Sequence, residues 1–157
     1  MAIFESLIRT VLHHIGTPFR TIQIAFLRSS GVKIGKNCMI SFRAKIDTRR
    51  GRISIGDNCV ITYGCILLSH DRSAMHIDSN DDGEGNVVLG NNVYLGVHTV
   101  VLRNVTIGDG SVVGAGSVVT KDIPPGVVAA GNPARVIKEI LRYRGLWSFS
   151  SIDNGSR

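Results

Sequence analysis

Aliphatic side chains recur every six residues from Ile34 onward. They stand at Ile34, Ile40 and Ile46, resume at Ile55, Ile61 and Leu67, and resume again at Leu89, Leu95, Val101, Ile107, Val113 and Val119. Glycine follows the aliphatic in half of these units, at Gly35, Gly56, Gly90, Gly96, Gly108 and Gly114. Four residues after the aliphatic, small side chains are common: Cys38, Ala44, Cys59, Cys65, Thr99, Ser111 and Ser117. A short strand buries alternate side chains, and a glycine-tolerant turn then redirects the chain. Three such units close a triangular coil of about 18 residues, and coils stack as a solenoid. The pattern therefore predicts an all-β solenoid, a parallel β-helix of about four triangular coils. Breaks at 52–54 and 73–88 each follow the third unit of a coil, so both leave from one corner of the prism.

The ends follow other periods. Ile3, Phe4, Leu7, Ile8, Val11, Leu12 and Ile15 have helical spacing, and Thr17-Pro18 opens a second helix to about Leu27. The first reading of this segment is a cap over the open first coil. The second is a membrane-surface anchor through residues 2–28, apolar on one face and basic on the other. Asn132-Pro133 has the form of a helix start, predicting a C-terminal helix. The chain thus divides into a helical cap over 1–30, a repeat solenoid over 31–131 with an inserted loop at 73–88, a helix over 132–146 and a flexible tail over 147–157.

Composition narrows the classes. Isoleucine, leucine and valine supply 45 of the 157 residues, which excludes a disordered chain. No apolar run is long enough to cross a bilayer, and no basic region precedes the first apolar stretch as in a secretory signal. Three cysteines do not make a disulfide framework; they read as small inward-facing residues in a reducing, cytoplasmic compartment. The net charge of +6 suggests nucleic acid until it is mapped. Residues 1–53 hold ten Lys/Arg and two Asp/Glu, residues 54–132 three and eight, and residues 133–157 five and two. Basic ends flank an acidic middle, with no basic-aromatic platform, and nucleic-acid binding is not expected.

Among the candidate chemical groups, His70 stands apart. It closes the second coil in Leu67-Leu68-Ser69-His70-Asp71, where the long insertion begins, supported by the solenoid on one side and sheltered by a loop on the other. His98 lies on a coil face and His76 in the insertion. The hexad pattern, with LGNNVYLGVHTVVLRNVTIGDGSVVGAGSVVTKDIPPGVVAAGNPARVI over 89–137, resembles the hexapeptide-repeat acyltransferases. Within them it looks like the galactoside and maltose O-acetyltransferases and the small acetyltransferases of polysaccharide biosynthesis. The resemblance covers about residues 31–140 and implies a left-handed coil, a homotrimer with active sites between subunits, and acetyl-coenzyme A as co-substrate.

It further implies that Ser69-His70-Asp71 matches the family's histidine element, making His70 the general base. Imidazole suits the removal of a hydroxyl proton near neutral pH. Family contacts to the cofactor match Tyr94, Gly96, Val97, Ala115, Thr120, Lys121, Arg135 and Lys138. Val97 replaces a serine seen in some members, so its backbone N–H is left to meet the thioester oxyanion. Ser41, Asp47 and Asp71 fall where the acceptor is recognised. The expected activity is O-acetylation of a sugar or polysaccharide-precursor hydroxyl, by direct transfer in a ternary complex. The alternatives are N-acetylation of a nucleotide-linked amino sugar, a zinc enzyme joining His70, His98 and His76, and a non-catalytic trimeric scaffold. No resident metal is expected. The identity of the acceptor is not readable from the residues.

Overall fold

The computed structural model describes residues 19–140. The predicted first helix, over 2–15, and the tail over 147–157 lie outside them. The described part opens with a helix, α1, over residues 19–29, which runs slightly past the predicted Leu27.

The solenoid follows in rungs of three strands. The first rung is β1 (Lys33–Ile34), β2 (Met39–Ile40) and β3 (Lys45–Ile46). The second is β4 (Arg52–Ile55), β5 (Val60–Ile61) and β6 (Ile66–Leu67). The third is β7 (Asn86–Leu89), β8 (Tyr94–Leu95) and β9 (Val100–Val101), and the fourth is β10 (Val105–Ile107), β11 (Val112–Val113) and β12 (Val118–Val119). Each of the twelve hexad aliphatics falls on its own strand. Strands stack in parallel into three sheets, which we call A (β1-β4-β7-β10), B (β2-β5-β8-β11, extended by two more strands) and C (β3-β6-β9-β12). Register is kept from rung to rung: Ile40 pairs with Ile61, Ile61 with Leu95, and Leu95 with Val113. A partial fifth turn follows, in which Ile123 bridges to Ile107 and β13 (Val127–Gly131) pairs with β11.

The aliphatic columns form the core. Ten of the twelve are buried, and Ile34 and Ile46 of the open first rung pack against them half-buried. The small inward residues have a second task. Their hydroxyls and thiols donate to turn carbonyls: Thr99 Oγ1 to Gly96 at 2.7 Å, Ser117 Oγ to Gly114 at 2.7 Å, Cys59 Sγ to Gly90 at 3.0 Å and Cys65 Sγ to Gly96 at 3.1 Å. Each corner thus gives its buried carbonyl a partner without spending volume. Cys59 and Cys65 are fully buried and Cys38 is half-buried, as expected of inward positions.

Helix α1 closes the first rung. Leu27 enters the core with Ile24 beside it, while Gln23 Nε2 donates to the Ser41 carbonyl at 3.2 Å and the Arg28 guanidinium to the carbonyls of Ile34 and Gly35 at 2.9 Å. The carbonyls at the outer edge of the first rung are thereby occupied, which blunts a sheet edge.

Two expectations need correction. The helix predicted over 132–146 is absent from its described part, 132–140: Ala134–Glu139 form β14, antiparallel to β13, and the chain reverses through Gly131 and a cis Asn132–Pro133 bond. The segment ARVIKE favours an edge strand, because Ala134 is buried against β13 while β-branched Val136 and Ile137 stand side by side. The breaks in the repeat are also displaced. Arg52–Ile55 and Asn86–Leu89 are four-residue strands, with Ile53 and Val87 turned inward, so the segments between strands are residues 47–51 and 68–85.

The second interruption leaves the corner between sheets C and A on a two-stranded neck. Asp71 N–H donates to the Gly83 carbonyl and Gly85 N–H to the Ser69 carbonyl, each at 2.8 Å, and His70 bridges to Glu84 between them. A 3₁₀ turn, Arg72–His76, forms the first part of the loop. Arg103, one rung further along, clamps the neck: its guanidinium reaches both oxygens of Asp81 and donates to the Glu84 carbonyl at 3.1 Å. That pairing holds the Asp81 carboxyl below its ordinary range.

Two outcomes follow from this architecture. Leu95→Ala, which empties part of a fully buried column, should lower unfolding stability by about 2–5 kcal/mol in denaturant titration. Arg103→Ala should raise proteolytic cleavage within residues 71–85 severalfold while the melting temperature stays nearly constant, since the clamp binds a loop rather than the core. Because the Asp81 pKa is depressed on folding, the clamp is intact above the normal carboxylate range. It is lost as pH falls through the lowered value, and cleavage of the native loop should rise there.

Candidate active site

The corner between sheets C and A carries His70. Its neighbours in sequence fix it from both sides. Ser69 is fully buried, with its hydroxyl 2.5 Å from the Arg50 carbonyl, and Gly51 packs under it so closely that a Cβ there would strike the Ser69 and Gly85 carbonyls. The backbone on the far side of His70 is the neck. The imidazole, half-buried, thus stands on a rigid base.

Asp47 follows β3 at this corner, one rung before His70. Its side chain is 4% exposed; Oδ1 accepts from the Arg49 amide at 3.2 Å, whereas Oδ2 is buried and has no donor among the described residues. A buried carboxylate oxygen without a partner is costly, which marks Asp47 as more than a turn residue. Asp71 follows His70 directly, but its carboxylate is used locally. Oδ1 accepts from the Ser73 amide at 2.9 Å and the Ser73 hydroxyl at 2.6 Å, capping the 3₁₀ turn, and these bonds hold its pKa below the usual value. Thr120 and Lys121 lie on the same corner two rungs beyond His70, both exposed.

The other predicted residues lie elsewhere. Ser41, Gly96, Val97 and Ala115 occupy the corner between sheets B and C, at the opposite end of every strand of sheet C. Tyr94, Arg135 and Lys138 lie on sheet B, where Tyr94, Val112, Val128 and Lys138 form one row across four strands. Within one chain the structure therefore brings His70 together with Asp47, Asp71, Thr120 and Lys121, and keeps them apart from the remaining positions.

Gly96 has a structural cause independent of any ligand. A Cβ there would lie 2.6 Å from the Ala115 nitrogen, so the rungs require glycine. The Val97 side chain is 44% exposed, next to the Tyr63 and Phe42 column on the same corner. Ser41 lines an open groove of about 600 Å³ between α1 and sheet B, with Phe19, Gln23, Met39 and Phe42.

The histidines do not converge. His98 adopts φ +58°, the left-handed turn conformation that Gly64 and Gly116 take in the rungs on either side, and its ring meets Tyr63 edge-on at 5.4 Å. It is a corner residue packed on its neighbour. His76 is exposed in the 3₁₀ turn. Among the described residues no group of three His, Cys, Asp or Glu side chains could hold a metal ion. Sequence reasoning missed Arg103, whose place opposite the insertion appears only when coils are stacked; its one signal was a basic residue on the corner from which the insertion leaves.

Comparison with known proteins agrees with this architecture. The profile described as bacterial transferase hexapeptide (six repeats) matches residues 86–121, and that of the hexapeptide repeat of succinyl-transferase matches residues 31–69. The chain is 41% identical over 140 residues to the galactoside O-acetyltransferase of Escherichia coli (strain K12), covering 87% of this chain and 68% of that one. It superposes on the solved structure of a galactoside acetyltransferase in complex with coenzyme A with a TM-score of 0.64 and 40% identity, over 78% of this chain and 64% of that chain. The polySia-specific acetyltransferase NeuO gives a TM-score of 0.65 at 31% identity, over 75% of this chain, which spans 56% of NeuO. A repeat matched by two profiles, and the extended identity to the enzyme of Escherichia coli, place the chain in the hexapeptide-repeat transferase family, among its acetyltransferases.

Proposed function

We propose that the chain transfers an acetyl group from acetyl-coenzyme A to a hydroxyl of a sugar or polysaccharide precursor, with His70 as general base. The observation that carries this reading is the mounting of His70, the histidine of the family element, on a neck pinned by the Glu84 bridge and by buried Ser69. A neutral imidazole takes the acceptor hydroxyl proton as the oxygen attacks the thioester carbonyl. The tetrahedral oxyanion needs a preorganised donor, the role of the Val97 N–H in this reading. Its collapse expels the coenzyme A thiolate, which recovers the proton from the imidazolium, leaving an O-acetyl sugar and free coenzyme A. No acyl-enzyme is required, and the buried Cys59 and Cys65 are core groups.

Lys121, Arg135 and Lys138 would meet the phosphates of the cofactor, and exposed Tyr94 would flank its arm. The separation of the two corners supports a site shared between chains. His70 of one subunit would face the Gly96 and Ala115 corner of the next, in the homotrimer that the resemblance implies. On the acceptor side Asp47 carries a carboxylate oxygen without a partner among the described residues, which a turn of its side chain would present to a hydroxyl, and Ser41 would come from the facing corner. The coenzyme A in the solved galactoside acetyltransferase complex supports the choice of cofactor.

The test is release of coenzyme A thiol from acetyl-CoA against a panel of sugars and amino sugars. Hydroxyl acceptors should turn over, and His70→Ala should lower kcat by about 10²–10⁴-fold while acetyl-CoA still binds. Preference for amine acceptors would assign N-acetylation instead, and full activity of His70→Ala would remove the base from this residue. Asp47→Asn should raise KM for the acceptor more than it lowers kcat, because it weakens one hydrogen bond to substrate.

A further inference from the structure

Nine lysines and arginines lie between residues 19 and 52, against one acid, Asp47. All nine are exposed: Arg20, Arg28, Lys33, Lys36, Arg43, Lys45, Arg49, Arg50 and Arg52. Only Arg49 and Arg50 form an ion pair within the described residues. Their place in the fold is specific. Arg20 and Arg28 lie on α1, the next six on the strands, turns and closing loop of the first rung, whose strands are the outer edges of all three sheets, and Arg52 opens β4 directly after. The remainder of the described chain, 53–140, holds five basic and nine acidic residues, so the charge is polarised along the solenoid axis.

The same end is apolar on its outer side. Helix α1 turns Leu27 and Ile24 into the core, but Phe19, Ile22 and Phe26, at helical spacing, are 60%, 65% and 66% exposed. A cap needs an apolar inner face and has no use for an aromatic outer one. Aromatic and aliphatic side chains ringed by cations of which only Arg49 and Arg50 have a carboxylate partner, on a helix lying across the end of a domain, match the chemistry of a bilayer interface with anionic headgroups. No helix among the described residues is long and apolar enough to cross a membrane, so this contact would lie on the surface.

We infer that the first-rung end of the solenoid docks on an anionic lipid bilayer, with Phe19, Ile22 and Phe26 entering the interface and the first-rung cations meeting lipid phosphates. This is independent of the catalytic reading. The test is sedimentation of the full-length protein with vesicles of equimolar phosphatidylglycerol and phosphatidylcholine, and with phosphatidylcholine alone. The mixed vesicles should bind it and the neutral ones should not. Raising salt from about 0.1 M to about 1 M, which shortens screening from about 10 Å to about 3 Å, should abolish most of the binding. Lys33→Ser/Lys36→Ser should weaken it about tenfold or more, and Ile22→Ser/Phe26→Ser by at least as much. Failure of the native protein to bind the mixed vesicles, or equal binding to neutral ones, overturns the inference. So does an Ile22→Ser/Phe26→Ser variant that binds vesicles normally but loses mass in solution, because the stripe is then an interface between copies. Should a variant's circular dichroism show that it has not folded, the lipid and salt series on the native protein decides alone.

Discussion

Everything in this chain depends on the in-register stacking of rungs. Nine of the twelve rung strands contribute only two residues to a ladder and none more than four, too few to be stable alone, and each gains its order from neighbouring strands about 4.8 Å away. That spacing leaves no tolerance at the corners. A Cβ on Gly96 would collide with the Ala115 backbone, and one on Gly56 with the Gly90 carbonyl. Left-handed turn residues recur for the same reason, with Asn37, Asn58 and Asn92 on one corner and Gly64, His98 and Gly116 on another. A six-residue repeat with glycine in half its units is the sequence form of this contact restriction.

The same stacking separates the chemistry. A side chain on one corner of a triangular prism cannot swing to another, because the strand between them is locked on both sides. His70 and Gly96 are therefore held apart by sheet C as firmly as they are held in place. A reaction that needs a base near one and a thioester near the other is arranged most directly between two prisms set corner to corner. The rigidity that holds these two corners apart would also make a shared site well ordered, since each chain presents its residues on a fixed edge.

The periodic part of the fold was legible because each hexad repeats the same physical problem, and twelve repetitions outweigh any local ambiguity. Non-repeating parts were less so. Asn132-Pro133 carries the residues of a helix start, yet the β13 edge was open, and ARVIKE pairs with it through Ala134, Arg135, Val136, Lys138 and Glu139. The pairing is tertiary and overrode a local cap signal. The insertion boundaries were displaced because a strict six-residue ruler cannot register the longer strands Arg52–Ile55 and Asn86–Leu89. His70 was singled out by its position at a break. Its clamp, Arg103 on Asp81, spans 22 residues and has no linear signature.

Interior rungs of such a solenoid are nearly interchangeable, which leaves individuality to the places where the repeat stops. Among the described residues three of these carry added structure. The insertion at the C–A corner supplies His70 and its sheltering loop. The far end adds β14, which places Arg135 and Lys138 beside the Tyr94 row. The near end adds α1 with the concentration of positive charge. Each follows from an unsatisfied edge: a corner that lets extra residues leave, a β13 strand that needs a partner, and first-rung carbonyls that Gln23 and Arg28 must occupy. A side chain recruited to close an edge has one face committed to the protein and the other open to whatever lies beyond. The exposed sides of α1 and β14, more than the aliphatic columns, are therefore where this chain differs physically from any other stack of the same coils.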